Sequence, residues 1–225
     1  MKKIVIGFSG GMDSTTLLAI LLAQGFEVHC CSFNYGSKHN EYENKAAKNI
    51  IQYYLDLNQP VKHYLFDLQG VFKDFKSNLL KTGGDIPEGH YEGKNMKLTV
   101  VPGRNLIMAS IMAGLAESIE AESIALGIHA GDHAIYPDCR PEFAENLDLV
   151  LRASTEGKVK VITPLLYDDK TSILKQGYSL EIPTPYDLTR TCYKDQVFSC
   201  GKCGSCQERL EAFENIGIKD PILYE

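Results

Sequence analysis

The stretch Ser9-Gly10-Gly11-Met12-Asp13-Ser14 constrains this chain more than any other. It follows an apolar run, Ile4-Val5-Ile6-Gly7-Phe8, and precedes Thr15-Thr16-Leu17-Leu18-Ala19-Ile20-Leu21-Leu22. The pattern reads strand, tight turn, helix. Such a turn presents backbone N–H groups and a helix dipole to an anion. Gly10 and Gly11 allow a sharp bend and a close approach to a ligand with no Cβ in the way. Ser9, Ser14 and Thr15 add hydroxyl donors. The loop therefore suits a phosphate or pyrophosphate. It is not a Walker loop, which needs a lysine, nor the Gly-x-Gly-x-x-Gly dinucleotide fingerprint. A plain serine-capped surface turn fits poorly directly after a buried-type strand.

The rest of the chain supplies the frame such a loop needs. Glu27–Phe33 reads as a second strand, residues 40–56 as a helix with Ala46, Ala47, Ile50, Ile51 and Tyr54 on one face, and Val61–Phe66 as a third strand. This alternation predicts an α/β fold, a Rossmann-like doubly wound parallel sheet. Ligands in such sheets sit at the carboxyl ends of the strands, where the Ser-Gly-Gly loop lies. Further strands are expected at Ser123–Ile128 and Val159–Ile162. Further helices are expected at Leu106–Glu117, from Pro141 to about Arg152, from a cap at Asp168 or Asp169 through Lys175, and over Gln207–Asn215 with Leu210 and Phe213 inward. The glycine-rich polar segment 81–99 reads as a long loop or lid. Residues 1–180 are expected to form the nucleotide-binding and substrate domain, and 181–225 a small C-terminal metal-binding subdomain.

Charge and composition narrow the function. The net charge of −6 argues against broad attraction to nucleic acid, so a small-molecule substrate is expected and direct nucleic-acid binding is not. No apolar run reaches the length of a membrane span, and the start of the chain carries no signal-peptide pattern, so a cytoplasmic location is expected. Seven cysteines in such a setting read as metal ligands or catalytic thiols before disulfides.

Two further clusters carry chemistry. His129 to Phe143 follows a strand end and is dense in functional groups. Asp132 and Asp138 can accept hydrogen bonds from a base edge, Tyr136 can stack or donate, and Arg140 can grip a carboxylate or phosphate. His129 and His133 are four apart, but Gly131 between them speaks against a helical metal pair. Arg104, near a helix start, could neutralise phosphate charge or simply pair with a carboxylate. The second cluster is Cys192, Cys200, Cys203 and Cys206, with spacing C-x7-C-x2-C-x2-C. Four thiolates suffice for a closed structural zinc site, one Zn2+ per chain, with an iron–sulfur cluster as the alternative. Cys30 and Cys31 read as small core residues.

The Ser-Gly-Gly-x-Asp-Ser loop resembles the PP-loop of the ATP pyrophosphatases. Phe8–Thr16, Asn34-Tyr35-Gly36, Val101-Pro102-Gly103-Arg104-Asn105, Tyr136–Phe143, Thr191-Cys192-Tyr193 and Cys200–Cys206 together resemble the QueC family over nearly the whole chain. The resemblance implies an ATP-dependent ligase of the queuosine pathway. It would convert 7-carboxy-7-deazaguanine and ammonia to 7-cyano-7-deazaguanine (preQ0) through adenylated intermediates, with Mg2+ screening the triphosphate. Carried over by position, Phe8, Ser9, Gly10, Gly11, Met12, Asp13, Ser14 and Thr15 would bind ATP. Ser9, Asp13 and Arg104 would be catalytic. Arg104, Asp132, Tyr136, Asp138 and Arg140 would meet the substrate, and the four cysteines zinc. It also implies a homodimer. Neighbouring readings are attachment of a deazaguanine to a protein terminus, and tRNA thiolation. Many members carry Thr-Trp-Ser-Cys where this chain has Thr189-Arg190-Thr191-Cys192, Asn at His129 and Tyr at His133.

Overall fold

The computed structural model describes residues 1–89 and 93–225. The first half runs β1 (Lys3–Gly7), α1 (Met12–Ala23), β2 (Glu27–Asn34), α2 (Asn40–Asp56), β3 (Val61–Asp67) and the short α3 (Gln69–Phe72). The second runs α4 (Arg104–Ser118), β4 (Ser123–Ala125), α5 (Pro141–Ser154), β5 (Lys160–Ile162), α6 (Lys170–Ser179) and α7 (Gly204–Asn215). The strands pair in parallel in the order β3-β2-β1-β4-β5. The fold is the expected doubly wound sheet.

Alternation along β1 assigns the two faces. Ile4 and Ile6 pack with Leu17 of α1, Ile50 of α2 and Ile173 of α6. Val5 points the other way, among Ala109 and Met112 of α4 and Leu147 of α5. Cys30 and Cys31 are fully buried, one in each of these clusters, as small core residues should be.

Most boundaries fall where local chemistry sets them. Pro141 opens α5, and Asp169, not Asp168, caps α6 by accepting from the Ser172 amide at 2.6 Å. That helix runs past Lys175 to Ser179. The strand expected over Ser123–Ile128 is shorter, ending at Ala125. Leu126 makes one more bond, to the Ile162 carbonyl at 3.1 Å, and then Leu126, Gly127 and Ile128 turn into the wall of a cavity. The glycine-rich segment 81–99 ends in a 3-10 turn, Lys94–Thr99, with Met96 and Thr99 buried. Before that it is tethered to the cysteine region through Gly89 N–H to the Lys202 carbonyl at 3.1 Å. Residues 90–92 of the expected lid lie outside the described residues.

The C-terminal segment is woven into the fold. Helix α7 packs on α6. Phe213 is buried as the helical pattern predicts, but Leu210 is only half-buried and Arg209 takes the interior. Its guanidinium donates to Asp220 Oδ2 at 2.7 Å and Oδ1 at 2.9 Å, to Thr189 Oγ1 at 2.6 Å and to the Tyr186 carbonyl at 3.0 Å. Buried charge is tolerated because so many acceptors meet it. Arg209→Leu leaves the Asp220 carboxylate buried without its cation, held only by the Ile222 amide and the Tyr224 hydroxyl. It should cost about 3–5 kcal/mol, read as a lower urea midpoint; an unchanged midpoint would refute this account of the pair.

Candidate active site

In a sheet of this order the chain leaves β1 and β4 in opposite directions, which opens a crevice at their carboxyl ends. A cavity of about 250 Å3 lies there. Its walls come from the β1–α1 loop, the β2 end (Ser32, Phe33, Tyr35), the start of α4, the chain after β4, Lys170, and the segment Arg190–Ser205.

The β1–α1 loop is built by its glycines and hydroxyls. Gly10 sits at φ +77, and a Cβ there would stand 2.6 Å from the Ala47 nitrogen of α2. That glycine is thus dictated by helix packing rather than by approach to a ligand. Ser9 Oγ accepts from the Gly11 amide at 3.1 Å and pairs with Ser14 Oγ at 3.2 Å. Thr15 Oγ1 donates to the Gly11 carbonyl at 2.7 Å and is wholly buried. Phe8, Ser9, Gly11, Met12, Asp13 and Ser14 line the cavity, while Gly10 and Thr15 stand behind it. The first turn of α1 leaves backbone amides without intrahelical partners, as any helix start does.

Beside the loop lies a cluster assembled from segments far apart in the chain. Lys170 Nζ, on a side chain only 7% exposed, is 3.2 Å from Asp13 Oδ2 and 2.9 Å from Glu208 Oε2. Burial alone would raise the Asp13 carboxyl, but Lys170 and His129 outweigh it and hold it below its ordinary value. Burial alone would lower Lys170, but Asp13 and Glu208 raise it, so the ammonium stays charged. Burial raises Glu208. Asp13 Oδ1 is buried with no hydrogen-bond partner among the described residues. One clue to Lys170 was present: a lysine in the first turn of a helix opposes the dipole, which needs a compensating anion.

His129, also buried, completes the cluster. Its Nδ1 accepts from the Gly131 amide at 3.2 Å, so Nε2 carries a ring hydrogen. That nitrogen is 3.4 Å from Asp132 Oδ2 and 3.8 Å from Asp13 Oδ2. The ring thus steadies two carboxylates. An asparagine keeps an acceptor at the Nδ1 position and a polar donor one bond short of Nε2, so His129→Asn should keep turnover within a few-fold. His129→Leu should lower it by roughly 10–100-fold, the value of a hydrogen bond to a charge. Steady-state rates on both variants check this; equal losses would refute it.

On the far wall, Arg104 donates to the Tyr35 hydroxyl at 3.4 Å and lies 5.7 Å from that ring's centre. Burial works to lower it, but Tyr35 and Asp138 push its pKa upward, so it stays a guanidinium. Tyr136 donates to Thr99 Oγ1 at 2.8 Å, because that hydroxyl is itself spent on the Met96 carbonyl at 2.6 Å. Arg104, Asp132 and Tyr136 line the cavity. Asp138 and Arg140 do not. Asp138 Oδ2 accepts from the Asn105 amide at 3.1 Å, fixing the start of α4. Arg140 is exposed and donates to the His133 carbonyl at 2.9 Å. Arg190, Thr191, Tyr193 and Ser205 also line the cavity. They flank the cysteines in sequence, and only folding shows that this region reaches the loop.

Cys192, Cys200, Cys203 and Cys206 are buried with their sulfurs all within 4.8 Å of one another, so they could hold a metal ion. The Cys200 and Lys194 amides point at Cys192 Sγ, each at 3.4 Å, and the Lys202 and Cys203 amides at Cys200 Sγ, at 3.4 and 3.3 Å. Such donors favour thiolates. Thiols of Cys203 and Cys206 donate to Cys192, which pulls Cys192 down and holds Cys203 up at about 12. A shared proton economy of this kind is what a cation would replace.

Comparison with known proteins places this architecture. The chain matches the family described as "Queuosine biosynthesis protein QueC" over residues 3–217. It is 43% identical over 225 residues, all of both chains, to "7-cyano-7-deazaguanine synthase" of Pseudoalteromonas atlantica. It is 45% identical over 225 residues, 100% of this chain and 99% of the other, to "7-cyano-7-deazaguanine synthase 2" of Colwellia psychrerythraea. Among solved structures, "a 4-thiouridine synthetase - RNA complex with bound ATP" shares the fold, with TM-score 0.52 and 19% identity over 93% of this chain and 50% of that one. With its family match spanning almost every residue and its relatives aligned end to end, this chain belongs to the QueC family of queuosine biosynthesis proteins.

Proposed function

We propose that this chain is a 7-cyano-7-deazaguanine synthase that consumes ATP and ammonia. The observation that carries the reading is end-to-end identity of 43% with a relative of that name, joined to a phosphate-type loop on the wall of a cavity. A carboxylate is inert to ammonia because oxide would have to leave. Transfer of AMP to a carboxylate oxygen of 7-carboxy-7-deazaguanine releases pyrophosphate and makes that oxygen a good leaving group. Ammonia then displaces AMP to give the amide. A second AMP transfer to the amide oxygen lets it depart, and loss of two protons leaves the nitrile.

The residues suit this sequence. The loop amides with Ser9 and Ser14 would cradle phosphates, and Lys170 and Arg104 would offset their charge. Asp132 and Tyr136 would face the deazapurine. Asp138 would act at one remove by holding α4, with Arg140 at the rim. Mg2+ fits the open Asp13 oxygen, and when bound it would screen the phosphates. Zn2+ fits the four-cysteine cluster as a closed, structural ion. We keep the homodimer, the cytoplasmic location and a free small molecule rather than a nucleic acid as substrate within this proposal. Among the described residues no helix is long and apolar enough to cross a membrane.

Mass spectrometry of products from purified protein, ATP, ammonium and 7-carboxy-7-deazaguanine tests the reading. The nitrile with AMP and pyrophosphate is the expected outcome. AMP release driven by tRNA and indifferent to the deazapurine would overturn it.

A further inference from the structure

The feature this chemistry leaves unexplained is Arg190. It is 7% exposed, lines the cavity and touches the phosphate loop through its backbone. Its N–H donates to the Gly10 carbonyl at 2.8 Å, and its own carbonyl would stand 3.3 Å from a Cβ on Gly11. The guanidinium is locked. Nη1 donates to the Val197 carbonyl at 3.1 Å, and Nη2 to the Lys194 and Gln196 carbonyls at 2.8 and 2.9 Å. The Tyr42 ring lies 4.7 Å from Cζ. None of these partners is an anion. Of the guanidinium nitrogens only Nε is buried without a partner among the described residues. A buried donor left unmet on a fixed cation is costly, and an anionic oxygen is the acceptor that matches it.

We propose that Arg190 is a binding residue for the pyrophosphate moiety, as the terminal phosphates of ATP and then as the released anion. This rests on the reading of the cavity as an ATP site. When the substrate oxygen attacks the α-phosphorus, the bond from that phosphorus to the bridging oxygen breaks. The electron pair stays on pyrophosphate, so negative charge grows there. A cation held beforehand by three carbonyls is already oriented when that charge develops.

The experiment compares inhibition by inorganic pyrophosphate and by AMP for the wild type, R190K and R190Q, with thermal melts on each. Lysine keeps a charge but has no Nε–H; glutamine removes the charge. The expected result is a roughly tenfold or greater rise in the pyrophosphate inhibition constant, with that for AMP unchanged. Equal weakening of both ligands, or of neither, would show that Arg190 only ties down residues 194–197 and would overturn the proposal. Should both variants fail to fold, the wild type serves. The Arg190 Nε–Hε NMR signal must shift with pyrophosphate and stay still with AMP; an unmoved signal overturns the proposal. Wild type that makes no AMP and binds no pyrophosphate would fell the functional reading itself. Wild type that turns over, beside an R190K that binds pyrophosphate normally, fells only this inference.

Discussion

Asp13→Ala should reduce AMP formation by about 10²–10³-fold or more, the scale on which enzymes lose a preorganised charge at a reacting centre. The fold should survive. Asp13 stands at the start of α1 on the cavity wall, and Lys170, its partner at 3.2 Å, keeps Glu208 at 2.9 Å when Asp13 is gone. The variant should therefore retain its far-UV spectrum and lose catalysis. The acid limb of its stability curve should change too. The Asp13 carboxyl is held below its ordinary 3.8, so in the folded protein it contributes stability above that pH. That contribution fades as pH falls through the depressed folded value. Asp13→Ala removes this loss, so urea midpoints measured from neutral to acid pH should fall less steeply than the wild type's. Full AMP formation by the variant would remove the carboxylate from the chemistry and leave it a structural partner of Lys170.

The second large effect is structural. Cys203→Ser takes one sulfur from a buried set whose members lie within 4.8 Å of one another. Metal bound at such a site is folding free energy, because the site does not exist in the unfolded chain. We expect metal content to fall well below one ion per chain. Stability should fall by at least about 3 kcal/mol, a drop in Tm of roughly 6–12 °C for a chain of this size. Activity should fall with it, because Arg190, Thr191 and Tyr193 beside Cys192, and Ser205 beside Cys206, line the cavity. Metal analysis beside a thermal melt decides the matter. A variant with wild-type metal content and an unchanged melt would show that Cys203 is not a ligand.

These effects differ in how far the sequence announced them. The β1–α1 loop and the cysteine spacing were legible because each is a local pattern: a few residues whose chemistry and separation suffice. The parallel sheet was legible because apolar runs and amphipathic stretches alternate, and alternation leaves few ways to connect them. Asp138 and Arg140 looked alike as polar residues after a strand, and composition could not separate a residue facing a cavity from one capping α4 or one turned to solvent. Leu210 looked interior on helical spacing, yet Arg209 took that place because Asp220, Thr189 and Tyr186 meet it there.

By itself the sequence determined the doubly wound layout, the phosphate-type turn and the set of four sulfurs, since each depends on neighbours within a few positions of the chain. Only the tertiary structure decided which charges meet. Asp13, His129, Lys170 and Glu208 come from four separated segments, and their pairing depends on how α1, α6 and α7 stack. Electrostatic interaction falls with distance through space and takes no account of distance along the chain, so no spacing rule could have joined them.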